Sequence, residues 1–320
     1  MNITETTIRL AALLFACAAL DARAVDAVIF DRAASAADLR REYSKALLQQ
    51  VMERTVPEFG PYTIDYADIH MERPRLLAAL KDGKLINVTA YPADAQWLKS
   101  LRAVPVPTDM GLQNWRISLI DSKNQDRMHK LVLPEGLREM TAGVGAVWVT
   151  RASLQDNGFR YVTGSNYIGL FDMLIAGRFD YFPRGVNEIF QEYDQRKQAF
   201  PQLAVEDSIL LHDNIPSLFF VSPGNPRLYK RIRAGMEALL KDGTLERLVL
   251  EHHRSYLQRA RLCNRRRIDL PNKDIDPAVL ARKELWFDPF NPRHGFCPKA
   301  AAGWADAAGS RGRQAPAKGG

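Results

Sequence analysis

Arg184 directly follows the largely apolar run 179–183, the composition of a short buried strand, so its guanidinium should be held at a strand end. A planar fork of N–H donors fixed at such a place suits a bidentate grip on a carboxylate or phosphate. The alternative is internal, because Glu188 lies four residues on, at the spacing of an ion pair on one helix face. Thr150 and Arg151 open an amphipathic segment and read two ways as well: as an anion site at a helix N-terminus, or as ordinary capping. Tyr91 and Tyr167 carry rings that can stack on a ligand or pack within the protein. Asp31, Thr89 and Ser165 complete the candidate ligand-binding set. Each follows a strand-like run, and in open α/β sheets ligands bind outside the carboxyl ends of strands.

Nothing comparable points to catalysis. Asp180 and Glu188 are paired carboxylates, but general acid–base work needs both to converge on one substrate. No Gly-x-Ser-x-Gly elbow, phosphate loop or His-Glu-x-x-His pattern occurs in the chain. We therefore expect no enzyme, no catalytic residue and no cofactor. A metal site is not expected either: no Cys/His group has zinc-ligand spacing, and the adjacent His252 and His253 would point to different sides of a helix.

The elements that must position these residues begin after an export signal. Arg9 is followed by an uncharged apolar run, 10–20, and then by Ala22-Arg23-Ala24, a small-x-small cleavage pattern. Residues 1–24 read as a signal peptide, with a buried N-terminal helix as the alternative that Glu5 and Arg23 leave open. The run falls short of the roughly 20 apolar residues that span a bilayer, so a periplasmic or secreted location is expected. Cys17, in Leu14-Phe15-Ala16-Cys17, resembles a lipobox and leaves a lipoprotein as the minority alternative. If Cys17 departs with the signal, Cys263 and Cys297 remain, an even number in an oxidising compartment. They are either a disulfide that pins the C-terminal extension or two unpaired thiols.

The net charge of +7 is concentrated late, in Arg259, Arg261, Arg265, Arg266, Arg267 and a tail with Arg311, Arg313 and Lys318. No nucleic-acid motif or stacking pattern accompanies these charges, so they read as a solvated surface, with no nucleic-acid partner.

From residue 25 to about 260, short β-branched or aromatic runs alternate with amphipathic segments, which signals an α/β protein with mainly parallel sheets flanked by helices. Strands are expected at 25–30, 62–66, 85–90, 115–120, 144–149, 159–162, 179–182, 205–211 and 217–221. Between them lie helices, among them one in which Leu39, Tyr43, Leu47 and Val51 form one apolar face, and one that ends at Gly83. The pair of prolines in Val104-Pro105-Val106-Pro107 bends the chain before 115–120. Beyond 260 recurrent prolines interrupt regular elements, and 300–320 is too poor in large apolar groups to offset its ordering entropy.

The segment Asn166-Tyr167-Ile168-Gly169-Leu170-Phe171-Asp172-Met173-Leu174-Ile175-Ala176-Gly177-Arg178-Phe179-Asp180-Tyr181-Phe182-Pro183-Arg184-Gly185-Val186-Asn187-Glu188 resembles the second-lobe signature of the family 3 extracellular solute-binding proteins, in a divergent branch known as transporter substrate-binding domains. Gly143-Val144-Gly145-Ala146-Val147-Trp148 and Leu218-Phe219-Phe220-Val221-Ser222 echo it, and the resemblance spans 25 to about 258.

It implies a two-lobed, type II periplasmic-binding-protein-like fold with two crossing strands as hinge and the ligand in an interlobe cleft. Lobe 1 would comprise 25–116 with a return at 217–260 that includes the C-terminal helices, and lobe 2 would be 117–216. The extension 261–299 and a disordered basic tail, 300–320, would follow.

The implied function is extracytoplasmic capture of a small polar ligand for delivery to a transporter, by a monomer with a membrane permease or sensor as partner. A sensing or interaction module of the same fold is the alternative, and a secreted hydrolase a more distant one. Two departures bear on the ligand. Amino-acid receptors of the family carry an arginine after a lobe-one threonine, where Thr89 here is followed by Ala-Tyr-Pro. They also place an aspartate where Arg184-Gly185 stand. These exchanges turn the implied ligand from an amino acid toward an anion, or toward none in the usual mode.

Overall fold

The computed structural model describes residues 25–33, 41–272 and 277–297. The expected signal peptide with Cys17 and the tail 300–320 lie outside the described residues. In chain order the main elements are β1 (Asp26–Phe30), α1 (Glu42–Arg54), β2 (Tyr62–Tyr66), α2 (Arg73–Asp82), β3 (Val88–Pro92), β4 (Arg102–Ala103), β5 (Trp115–Asp121), β6 (Thr141–Gly145), α3 (Val149–Asp156), β7 (Arg160–Gly164), α4 (Gly169–Ile175), β8 (Tyr181–Gly185), α5 (Ile189–Arg196), β9 (Leu203–Val205), β10 (Ile209–Asp213), β11 (Ser217–Val221), α6 (Pro226–Lys241), α7 (Thr244–Ala260) and β12 (Arg266–Leu270). The chain is thus α/β, with two sheets flanked by helices.

It divides into two compact units. Among the described residues, the first comprises those up to Thr89 with Ser100–Val104 and Phe219–Leu239; the second comprises Ala90–Lys99, Pro105–Leu218 and those from Leu240 onward. The first is built on the sheet ordered β2-β1-β3-β11-β4. Its β1 is parallel to both β2 and β3, while β11 and β4 are antiparallel. Of the four-residue period expected in α1, Tyr43, Leu47 and Val51 are buried, and Leu39 lies outside the described residues. Gly83 caps α2 at a left-handed φ of 75°, a conformation glycine adopts without strain. Arg231 of α6 fastens this unit from inside: its guanidinium donates to Thr55 Oγ1, Asp26 Oδ2 and the carbonyls of Pro61, Met52 and Gly60.

The second unit holds the sheet β12-β10-β5-β8-β6-β7, with β9 on β5. Strand β5 is antiparallel to β8, β9 and β10, whereas β6–β7, β6–β8 and β10–β12 are parallel. Met128, Leu137, Met140, Leu154, Phe159 and Ile209 belong to the apolar core of this sheet. Gly143 in β6 lets the Phe179 ring lie against the backbone, where any Cβ would collide with it.

Several sequence expectations move. The 205–211 run is two strands, because fully buried Glu206 turns the chain: its carboxylate accepts the Ser208 and Ile209 N–H groups at 2.7 and 2.8 Å. Strand 144–149 instead ends at Gly145, and Val149 already begins α3. The 179–182 strand runs two residues later, which places Arg184 inside β8 rather than after it.

Prolines do not keep the extension irregular, since β12 pairs with β10 in parallel from Ile209↔Arg266 to Asp213↔Leu270. By compactness Ala90–Lys99 and Pro105–Leu218 fall in the second unit, as do the described residues from Leu240 onward. Helix α7 is carried there with β12, through Arg259 on Asp194 at 2.6 Å and Tyr256 beside Phe190.

Candidate functional site

Because β6, β7 and β8 are parallel neighbours, their carboxyl ends emerge on one side of the second sheet. Three features collect there. After β6, Gly145 allows a tight turn that folds the Trp148 indole over its own backbone, and the Trp148 amide donates to the Gly145 carbonyl at 3.0 Å. After β7, Asn166 Oδ1 accepts from the Gly169 amide at 2.7 Å and starts α4, which leaves Tyr167 between them. Within β8, Phe182 and Arg184 follow each other on one face at the strand's two-residue period.

These residues converge. Arg184 donates from Nε to Glu192 Oε2 and from Nη2 to Glu192 Oε1, both at 2.7 Å, and Nη2 also lies 3.0 Å from Glu188 Oε2. The guanidinium carbon sits 4.6 Å from the Trp148 ring centroid, 4.9 Å from that of Phe182 and 5.7 Å from that of Tyr167. Tyr167 Oη donates to Glu192 Oε1 at 2.8 Å. Arg184 and Glu192 are only 3 % and 2 % exposed. Burial works against the guanidinium's charge, but the Glu188 and Glu192 carboxylates outweigh it and hold the pKa above the ordinary arginine value. Of the two sequence readings of Arg184, the internal ion pair is what the structure contains, and Glu192 adds a second carboxylate.

The N-terminus of α3 is different. Trp148 is the cap residue, in extended conformation and with no side-chain cap bond. Thr150 is buried in the first turn beside Arg151. Arg151 Nε and Ser153 Oγ are buried without a hydrogen-bond partner among the described residues. Nearby in sequence, Ser165 is exposed, and the exposed Val147 and Ile168 add apolar surface to these loops.

In the first unit the adjacency of β1 and β3 brings Asp31 and Thr89 together. Thr89 Oγ1 donates to Asp31 Oδ1 at 2.6 Å, and Arg41 Nη2 lies 3.1 Å from Asp31 Oδ2. Both Asp31 and Thr89 are buried. Tyr91, further along β3 and already in the second unit, stacks on Trp97 with centroids 5.1 Å apart.

Trp148, Phe182 and Glu192 were not among the residues expected to act. Only the 188/192 spacing on one helix face, opposite an arginine on a strand, offered a signal for Glu192. Cys263 and Cys297 form a disulfide across 34 positions, with Cα atoms 5.7 Å apart. Among the described residues no group of three or more His, Cys, Asp or Glu could hold a metal ion, and no helix is long and apolar enough to cross a membrane.

No protein-family model matches the sequence, and no curated protein does. Solved structures do match. An ancestral arginine-binding protein bound to arginine aligns with a TM-score of 0.52 at 16 % identity, over 71 % of this chain and 97 % of its own. A Salmonella typhimurium periplasmic binding protein of high arginine specificity aligns at 0.52 and 11 % identity, over 72 % of this chain and all (100 %) of its own. A histidine kinase sensor domain with similarity to periplasmic binding proteins aligns at 0.51 and 15 % identity, over 72 % and 96 %.

Proposed function

We propose that this chain, which has the type II periplasmic-binding-protein fold, is an extracytoplasmic solute-binding protein that captures a small polar ligand bearing an anionic group and delivers it unchanged to a membrane permease. The fold supports binding as the activity, because the structures it matches are aligned over nearly their whole length and are mostly binding proteins. The export signal read in residues 1–24 and the Cys263–Cys297 disulfide support a location outside the cytoplasm.

Arg151 carries the choice of ligand. It stands in the first turn of α3, where the helix dipole favours negative charge, and its Nε has no partner among the described residues. Arg184, by contrast, is satisfied by Glu192 and Glu188. Thr150 and Ser165 supply hydroxyls to the same loops, and Tyr167 and Ile168 an apolar wall. The expectation of an anion therefore passes from Arg184 to Arg151. Asp31 and Thr89 act as the frame of the first unit's loops.

A thermal-shift panel of small carboxylates and phosphates tests this, since a ligand at 100 times its dissociation constant stabilises by about 2.7 kcal/mol. A panel in which no anion moves the melting temperature would refute it. A sensing role is the second reading, favoured by the match to a kinase sensor domain. Crosslinking of the loaded protein in its native cells separates the two: transport requires a permease among the products, sensing a sensor kinase.

A further inference from the structure

The surroundings of Arg184 have the composition of a receptor for a guanidinium ion. Glu192 offers both carboxylate oxygens to Nε and Nη2 at 2.7 Å, the fork-to-fork geometry that a planar guanidinium makes and an ammonium cannot. Glu188 adds a second negative charge at 3.0 Å. Trp148, Phe182 and Tyr167 present rings within 5.7 Å of the guanidinium carbon, the reach of cation–π attraction. These walls come from three strand ends and from α5, the location at which open α/β sheets bind ligands. They are furnished for a cation, and the cations present are side chains of the protein itself: Arg184 on the Glu192 fork, and Arg196, whose guanidinium carbon lies 5.1 Å from the Tyr167 ring centroid.

We propose that Arg184 is a built-in occupant of a guanidinium-binding box, and that it sets specificity by excluding a free alkylguanidinium from walls that would otherwise hold one. Glu192, only 2 % exposed, cannot lose its guanidinium partner without a large desolvation cost, because Tyr167 Oη alone among these side chains still donates to it, whereas Glu188, 17 % exposed, keeps the Gly185 N–H. Removal of the Arg184 side chain therefore leaves a vacancy of defined charge and shape. The atoms deleted in Arg184→Ala, from Cγ to the two Nη, are those of ethylguanidinium. This inference does not rest on the anionic ligand proposed above, and either can fail without the other.

The test compares wild type, R184A and the double variant R184A/E192Q in ethylguanidinium chloride, with ethylammonium chloride at equal ionic strength as control. Melting is followed by circular dichroism and binding by calorimetry. At about five times its dissociation constant, ethylguanidinium should raise the R184A melting temperature by roughly 2–4 °C. Ethylammonium should do so far less, and wild type should gain nothing from either. In R184A/E192Q the affinity should fall by about tenfold or more, the loss expected for a charge-assisted hydrogen-bonding partner.

An equal response of R184A to both cations, or saturable stabilisation of wild type by ethylguanidinium, would overturn the proposal. Should R184A fail to fold, its refolding by ethylguanidinium but not by ethylammonium is the expected result. Failure of both to refold it counts against the box as decisively.

Discussion

Arg231 and Asp26 form an ion pair, Nη1 to Oδ2 at 2.9 Å, in which the arginine is wholly shielded from water. The pair ties α6 to the start of β1. The remaining guanidinium N–H groups reach Thr55 and three backbone carbonyls, so one side chain from late in the chain closes hydrogen bonds that its first 61 residues leave open.

Truncation at this point leaves the buried Asp26 carboxylate to the partly exposed Arg227, whose Nε donates to Oδ1 at 3.0 Å, and strands several acceptors at once. Arg231→Ala should lower stability by about 3–5 kcal/mol, the usual cost of removing one partner of a buried pair. Arg231→Lys should recover part of it, because an ammonium restores the charge but not the fork. Urea denaturation of the three proteins measures this, and a loss under about 1 kcal/mol in R231A would show that the network is dispensable.

Asp109 should make stability depend on pH in an unusual direction. Burial pushes its carboxyl up to about 6, against backbone N–H groups of Gln113 and Gly111 and the charge of Arg116, which favour the ionised form. A carboxyl whose folded pKa lies above its unfolded value contributes stability that is complete below the unfolded pKa and is lost as pH rises through the folded one. Relative to Asp109→Asn, wild type should therefore lose about 3 kcal/mol between about pH 4 and pH 7. The difference between the two proteins cancels other titrating groups, including buried His253, whose pKa burial depresses to about 3. A difference that is flat over this window, or of opposite sign, would contradict the assignment.

The Cys263–Cys297 disulfide closes a loop of 34 positions. It spans β12 and the turns that bring Trp286 against Gly111 and the Phe287 carbonyl to Trp115 Nε1. In the chain-entropy account a loop of this length is worth roughly 3–4 kcal/mol. C263S/C297S should lose stability of that order, and hydrogen exchange should quicken most in β12 and around Met110–Trp115. Exchange that quickens evenly over the whole chain would mean that the extension is not anchored there.

Much of this architecture could be read from periodicity. The α1 stripe of Tyr43, Leu47 and Val51, the Gly83 cap and the βα alternation depend on neighbours a few residues apart, and the structure keeps them. What moved depends on distant partners. Glu206, whose carboxylate breaks the strand by accepting the Ser208 and Ile209 N–H groups, is held in the interior with Arg265, 59 positions away, which bonds its carbonyl and lies beside its carboxylate. The extension becomes a strand only because β10 offers it an edge. Arg184 shows the same limit within the site: an apolar strand with an arginine near its end was visible, but not that Trp148 and Tyr167, from loops after two other strands, would enclose it. Arg151 was legible as a helix-opening cation, yet the burial of its Nε without a hydrogen-bond partner among the described residues is a property of packing that no local pattern encodes.

The central claim is that the second unit takes up an anionic solute at the start of α3, and calorimetric titration of the anion that most stabilises wild type, into wild type and Arg151→Ala, tests it most directly. The expected result is saturable binding to wild type and a dissociation constant about tenfold or more higher in the variant, the worth of a hydrogen bond to a charged group. Equal dissociation constants for the two proteins, with R151A folded as wild type, would contradict it.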